Sequence, residues 1–315
     1  MRASILIGLI VFAAANTASA QNPTPQRAGE RYKSVRVLTE APASQMIEMM
    51  SVIAGSLGVT CAHCHETDFA SDAKPMKDTA REMIRLTATT DAAFGGRGVI
   101  TCNTCHQGHA TPPAVAGVEQ AGWMRAPAAA PPAKPLPTAD QVFAKYVAAV
   151  GGAAAIDKVS SRTVAGTVTR DNGRTGPMSG TFTLTQTLPG SAQMETVFSF
   201  PPEAEGELNA EFFRPRRARE LAARSTVAGF GVIRSRPTVM VDVAGPSGGI
   251  AYRLHFDEAD GVLVARESQK PTPVGILAER HELSDYRDVN GIRQPFCIEW
   301  MRADYHVTFA ITSVR

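Results

Sequence analysis

The sequence predicts a multidomain α + β chain: a small all-α module, then a Pro/Ala-rich linker, then an antiparallel β-rich domain with a curved sheet and one leading helix. Three observations predict it. Apolar residues recur at helical spacing in the first third of the chain, seven prolines crowd residues 111–138, and short alternating runs separated by turn clusters fill the remainder. The expected divisions are residues 1–20, a leader; 21–110, the helical module; 111–138, the linker; and 139–315, the β-rich domain.

The leader carries Arg2, an apolar stretch from Ile5 to Ala15, and Ala18-Ser19-Ala20 before Gln21, the basic, apolar and small-residue layout of a secretory signal. The mature chain is expected to begin near Gln21, in an oxidising space outside the cytoplasmic membrane. No later segment approaches the roughly 20 apolar residues of a transmembrane helix. With 32 basic and 30 acidic residues the formal charge is +2, which argues for neither nucleic acid nor strong adhesion to anionic membranes.

Chemistry enters at Cys61-Ala62-His63-Cys64-His65 and Cys102-Asn103-Thr104-Cys105-His106. Cys-x-x-Cys-His is the attachment signature of c-type haem. Two thiols three positions apart on one helical turn can each add to a porphyrin vinyl group, and the following histidine then presents an imidazole nitrogen to the iron. Disulfides and zinc are the rival readings. A histidine directly after the second cysteine, twice, favours haem, and the usual zinc spacings fit neither run. The expected cofactors are therefore two covalently bound haem c groups, attached through Cys61, Cys64, Cys102 and Cys105, with His65 and His106 as iron ligands. Cys297 stands apart and reads as a small buried hydrophobe.

Upstream of the first motif, Met46, Met49, Met50, Ile53 and Leu57 mark one face of a helix over 43–57, after Pro42 and before Gly58. Folded back over the ring, this helix can supply a methionine as sixth ligand. For the second motif, Thr79 and Glu82 form a candidate capping box, and Ala80, Met83, Ile84 and Thr87 mark a helix running to about Asp91. Phe94-Gly95-Gly96-Arg97-Gly98 then makes a flexible loop. Met50 is expected to ligate the first iron, with Met46 and Met49 as rivals, and Met83 the second, with Met76 as rival. Methionines on an apolar helix face also serve as plain core packing. His63 and His109 are the alternatives for bis-histidine ligation, and Arg81, Arg85 and Arg97 could pair with haem propionates or lie solvated at the surface.

These residues carry a resemblance. From Tyr32-Lys33 to Gln107-Gly108, through Val37-Leu38, Ser56-Leu57-Gly58-Val59-Thr60-Cys61, Thr79-Ala80-Arg81-Glu82-Met83-Ile84 and Phe94-Gly95-Gly96-Arg97, the chain resembles the photosynthetic reaction-centre cytochrome c subunit family, particularly its two-haem members. The resemblance implies a helix-turn-helix at each haem with a methionine from the leading helix as axial ligand, which maps onto Met50 and Met83. It implies electron transfer between redox protein partners, in association with a photosynthetic or respiratory complex or the membrane periphery. The chain departs from the full-length subunit in having two haem motifs where that subunit has four.

In the C-terminal domain, Asp140 to Val150 reads as an amphipathic helix stopped by Gly151-Gly152. Strands are expected at 163–169, 178–188, 194–200, 238–243, 251–256, 261–266, 279–286, 297–300 and 305–312, with turns at Asp171-Asn172-Gly173, Pro189-Gly190 and Val289-Asn290-Gly291. Arg253-Leu254-His255-Phe256-Asp257 with Gly261-Val262-Leu263-Val264, and Ser284-Asp285-Tyr286-Arg287-Asp288-Val289-Asn290-Gly291, look like the lipoprotein-localisation (LolA/LolB-like) half-barrels of the cell envelope. That resemblance implies a concave face for acyl chains, so lipid is an expected partner of this domain. His255, His281 and His306 show no metal spacing, and Arg214, Arg216, Arg217 and Arg219 read as a solvated basic cluster. The leading expectation is an extracytoplasmic dihaem electron carrier and no enzyme. A lipid- or ligand-binding envelope protein with haems in a sensing role is second, and a peroxidase, which needs an open iron position, is third.

Overall fold

The computed structural model describes residues 25–113, 134–173, 176–197, 200 and 202–315. The expected leader and most of the expected linker lie outside these residues. The helical part comprises α1 (Ala28–Arg31), a 3-10 turn at Ala43–Gln45 continuing into α2 (Met46–Leu57), a 3-10 turn at Cys61–His63, α3 (Met76–Ala93) and α4 (Cys102–His106). Gly58 ends α2 in the left-handed conformation, at φ 64°, as a glycine C-cap does. One sequence expectation fails here: α3 starts at Met76 after Pro75, whose φ of −62° already suits a helix, so Thr79 and Glu82 lie inside the helix rather than capping it.

The C-terminal part begins with α5 (Ala139–Ala149) and α6 (Ala153–Ile156). Thr138 Oγ1 accepts from Gln141 N at 3.2 Å and Gln141 Oε1 accepts from Thr138 N at 2.8 Å, a reciprocal cap that fixes where α5 starts. Next in the chain come β1 (Ser161–Asp171), β2 (Met178–Thr187), β3 (Ser191–Thr196), α7 (Pro202–Phe213), α8 (Ala218–Ala223), β4 (Ser225–Ile233), β5 (Arg236–Ala244), β6 (Ile250–Asp257), β7 (Leu263–Thr272), β8 (Gly275–Val289), β9 (Ile292–Arg302) and β10 (Tyr305–Val314). The strands form one antiparallel sheet in the order β3-β2-β1-β10-β9-β8-β7-β6-β5-β4. Every neighbouring pair is a hairpin or meander step except β1 with β10, which joins the two ends of the domain, for example Val168 opposite Phe309. This is the expected curved, β-rich domain with a leading helix.

Several elements escape the sequence reading, among them α8 and the short α1 and α6, and two have a clear physical reason. Strand β4 contains Gly229 and Gly231, which blur its alternation. Helix α7 carries glutamates on its buried side, Glu207 and Glu211, so its hydrophobic period is weak. Inward residues alternate along the strands with period two, as in Val307, Phe309 and Ile311 of β10. They pack with Phe143 and Tyr146 of α5, Leu208 of α7 and Leu221 of α8 into one apolar core, whose largest buried side chain is Trp300.

The helical part is seated on this sheet. Val274 and Leu277, from the β7–β8 hairpin, share a buried cluster with Ala28, Ala41, Met46, Met49 and Val52. Glu48 pairs with Lys270, and Ser51 Oγ donates to Asp304 Oδ2 at 2.7 Å. At the other end of α2, Gly108 N donates to Ser56 O at 2.8 Å, and a Cβ on Gly58 would sit 2.0 Å from Gly108 O. Positive φ and backbone contact both require glycine there. Gly58→Ala is therefore expected to destabilise the folded chain by about 1–3 kcal/mol, the usual cost of a residue forced into a disfavoured backbone region, read as a lower denaturant midpoint with an unchanged slope.

Candidate functional site

Each Cys-x-x-Cys-His run is a short helical turn entered from a threonine in extended conformation, Thr60 before Cys61 and Thr101 before Cys102. Cys61 O accepts from His65 N at 3.0 Å, which folds the first motif back on itself. The His65 ring lies 4.8 Å from that of Phe69, tilted by 33°. In the second motif His106 Nδ1 lies 2.9 Å from His109 O. A carbonyl only accepts, so Nδ1 carries the proton and Nε2 keeps its lone pair for a metal. His109 thus serves the site through its backbone, while its side chain, like that of His63, is exposed. All five cysteines are free, and burial pushes the Cys64 and Cys102 thiols up.

The two leading helices share a two-faced plan, read at about 100° per residue. On α2, Glu48, Ser51, Val52 and Gly55 face the sheet. Met50, with Ile53 and Leu57, lies on the other side and is half-buried, Met50 and Ile53 packing at the edge of the cluster built around Met46 and Met49. Met49 is fully buried and Met46 nearly so, both in the cluster with Val274 and Leu277. On α3, only Lys77 and Arg81 are buried. Lys77 Nζ donates to Phe69 O at 2.9 Å and Ser71 O at 2.8 Å. Arg81 donates to Ser34 O at 2.9 Å and to Asp72 at 2.6 Å. The opposite side of α3 carries Met76, Met83 and Leu86, all exposed.

This arrangement alters two expectations. Arg81 is neither a solvated arginine nor a free propionate partner, because the Ser34 carbonyl and the Asp72 and Asp78 carboxylates take up its guanidinium. Arg85 and Arg97 are exposed. The glycine loop before the second motif is also clipped: Asp91 accepts from Gly98 N at 2.9 Å and Ile100 N at 3.1 Å, and these backbone donors hold its carboxyl below the usual range. Neither Asp72 nor Asp91 stands out in the sequence as a structural clip; the signal for Asp91 is its place just before the run Gly95, Gly96, Gly98.

The residues fit haem c. An 18-residue helix whose only buried side chains are Lys77 and Arg81 has no apolar core of its own, and helices of globular proteins draw most of their stability from burying an apolar face. The exposed apolar groups Phe69, Met83, Leu86, Phe94 and Val99 all belong to the segment between the two motifs. A porphyrin against the exposed side of α3 would give Met83 and Leu86 an apolar partner. Among the described residues no three His, Cys, Asp or Glu side chains converge in the manner of a zinc site.

In the C-terminal domain the singled-out side chains serve the fold. His255 Nε2 lies 3.2 Å from Glu267, and His281 donates through Nε2 to Glu203 O at 2.8 Å, burial lowering its pKa to about 4. The arginine cluster is not a uniformly solvated face. Arg214 is buried against Glu207 at 2.5 Å, Arg216 donates to the Phe212, Ile156 and Val159 carbonyls, and Arg217, paired with Glu220, lies exposed. Cys297 is half-buried. A cavity of about 470 Å³ runs along α7 and α8, lined by Leu188, Phe213, Leu221 and Tyr252 together with Arg214, Arg216 and Arg217.

Among known proteins, residues 10–144 match the family model described as "Photosynthetic reaction centre cytochrome C subunit". The chain is 37% identical over 81 residues to cytochrome c-554 of Chloroflexus aurantiacus, an alignment covering 23% of this chain and 20% of that protein. The chain thus spans about a fifth of the length of the curated relative it matches. Two solved structures overlie the C-terminal half: a LolA superfamily protein from Nitrosomonas europaea, at TM-score 0.40 and 9% identity over 57% of this chain and 93% of that one, and an outer membrane lipoprotein-sorting protein domain from Vibrio parahaemolyticus, at TM-score 0.38 and 8% identity over 56% and 93%. The resemblance of the N-terminal region to the reaction-centre cytochrome c subunit is borne out.

Acid titration probes the clip on α3. Hydrogen bonds from Arg81 and then Lys77 lower the Asp72 pKa to about 2, from an ordinary value of 3.8. A depressed carboxylate stabilises the fold above its unfolded pKa and loses that effect as pH falls through the folded one. The contribution of Asp72 is therefore expected to be complete above pH 3.8 and to vanish towards pH 2. An Asp72→Asn variant should be less stable at neutral pH and should lack this step in its stability–pH curve.

Proposed function

We propose that this chain is an extracytoplasmic dihaem c-type cytochrome that passes electrons between redox protein partners. The observation that carries the reading is the pair of two-faced helices. Each leading helix makes its polar contacts from one side and carries a methionine on the other, Met50 half-buried at the edge of the α2 cluster and Met83 exposed on α3. Haem iron supplies a one-electron couple at each site. Cys61 and Cys64, and Cys102 and Cys105, hold the groups covalently, while His65 and His106 provide the motif-side nitrogen. The His109 carbonyl keeps the His106 tautomer. Met49 and Met46 are buried within the cluster, whereas Met50 packs at its edge and stays partly exposed, which favours Met50 over both. Met83 sits mid-helix on the exposed stripe, which favours it over Met76 at the first turn.

A thioether opposite histidine favours the reduced iron and raises the potential relative to bis-histidine ligation. Met50 and Met83, together with His65 and His106, would hold the two irons without leaving a coordination position for peroxide, and the reading is of a carrier and not of an enzyme. The Ser56–Gly108 contact keeps the two motifs on one end of α2, a short path between the sites. Among the described residues no helix is long and apolar enough to cross a membrane, and the reading places the carrier outside the cytoplasmic membrane, next to a photosynthetic or respiratory complex. A second reading rests on the cavity along α7 and α8, whose apolar lining suits an acyl chain and whose Arg214 and Arg216 are already engaged within the protein; lipid copurifying with the chain is its signature.

The test is the absorption spectrum and haem-to-protein ratio of the chain exported from a host with c-type maturation. Two covalent haems per chain are expected. Met50→His and Met83→His should each abolish one share of the weak red methionine-to-iron band and lower one reduction potential. Absence of covalent haem would sink the reading.

A further inference from the structure

We propose that the β-domain sets the axial bond of the first haem, with Ser51, Gly55 and the β9–β10 turn residues Arg302, Ala303 and Asp304 acting as positioning residues for Met50. This rests on the haem reading above and gives the C-terminal domain a part in the redox chemistry.

The helix carrying Met50 is held from behind. Ser51, fully buried, donates to Asp304. The other oxygen of Asp304 accepts from Arg302 Nε at 2.8 Å, and the Arg302 guanidinium lies over the Trp300 and Tyr305 rings at 5.3 and 5.7 Å. Trp300 is a core residue of the sheet, so the turn that grips α2 is braced by the centre of the domain. One turn along, Gly55 meets Ala303 so closely that a Cβ on Gly55 would lie 2.3 Å from Ala303 Cβ. A methyl group has no rotamer by which to yield, so any side chain at position 55 must push the helix off the turn. That movement is directed towards the Met50 side of α2.

The motif side of the same site refers to the same sheet. Gly173, in the β1–β2 turn, neighbours Thr60, the residue before Cys61. Both halves of the first site thus meet turns of the same sheet. The second site differs. Thr101, before Cys102, neighbours Gly275 of the β7–β8 turn, but α3 is held by Ser34, Phe69, Ser71 and Asp72 within the helical part. A change at the β9–β10 turn should therefore reach the first haem and spare the second, which serves as an internal control in the same molecule.

The experiment uses the full chain with haem attached. Gly55→Ala should remove the share of the red methionine–iron band contributed by one haem and lower one of the two potentials, with both haems still covalently bound. Adding Ala303→Gly to that variant should restore the band and the potential, because the atom next nearest the new methyl is Ala303 Cα, at an ordinary 3.7 Å. Should Gly55→Ala not fold, Asp304→Asn, which keeps the volume and weakens the bond to Ser51, should shift the same potential downward and speed amide exchange in α2. An unchanged spectrum and unchanged potentials in the variant that folds would overturn the proposal, as would an equal effect on both haems or a failed rescue by Ala303→Gly. Absence of the methionine band from the unsubstituted chain would instead overturn the ligation on which the proposal rests.

Discussion

Helix α2 is the part on which the rest depends, because one short helix has to satisfy three neighbours at once. Its sheet-facing side buries Met49 and Val52 against Val274 and Leu277, its hydroxyl at Ser51 meets a carboxylate, and its end is closed on Gly108. Burying an apolar side chain of this size is worth about 1.5–3 kcal/mol, and a hydrogen bond to a charged group about as much. Those few contacts outweigh anything α1, α3 or α4 contributes by apolar packing, since α3 buries no apolar side chain at all. The helical part has the composition of a folded module and the core of half of one.

That imbalance explains how the sequence was readable and where it was not. Cys-x-x-Cys-His is a covalent requirement, so its residues and their spacing stand out without any structure. Helix periodicity located α2 and α3, and alternation located nine strands, because both report a buried face directly. Periodicity does not tell Met49 from Met50: each belongs to an apolar stripe, and only the position of the β7–β8 hairpin makes Met49 the fully buried one and leaves Met50 at the edge of the same cluster. Arg81 looked like a surface charge because its partners, Ser34 and Asp72, are brought to it by loops. Helix α7 was missed for the same reason in reverse, its buried glutamates being matched by Arg162 and Arg214, which no local pattern predicts.

Those buried pairs also bear on the character of the β-domain. Arg162 meets Glu211 at 2.7 Å, Gln186 at 2.7 Å and Gln294 at 2.7 Å, all enclosed between α7 and the sheet. Replacing such a network by apolar residues is often neutral or stabilising, whereas removing one partner alone is costly. The charges therefore do more for where α7 sits than for how stable the domain is. They tie the helix to the ends of β1, β2 and β9, and through β9 to the turn that grips α2.

The bond between Ser51 and Asp304 spans 253 residues of chain. A contact of that sequence separation closes late, after the loops between its ends have been organised, and in a chain delivered N-terminus first the leading domain folds ahead of the later ones. Both cysteine pairs are thus complete while the strands that will hold α2 have not yet paired. If the chain carries haem as proposed, that interval would precede the seating of α2, and closure of β9 on β10 would end it, so that attachment would come before alignment.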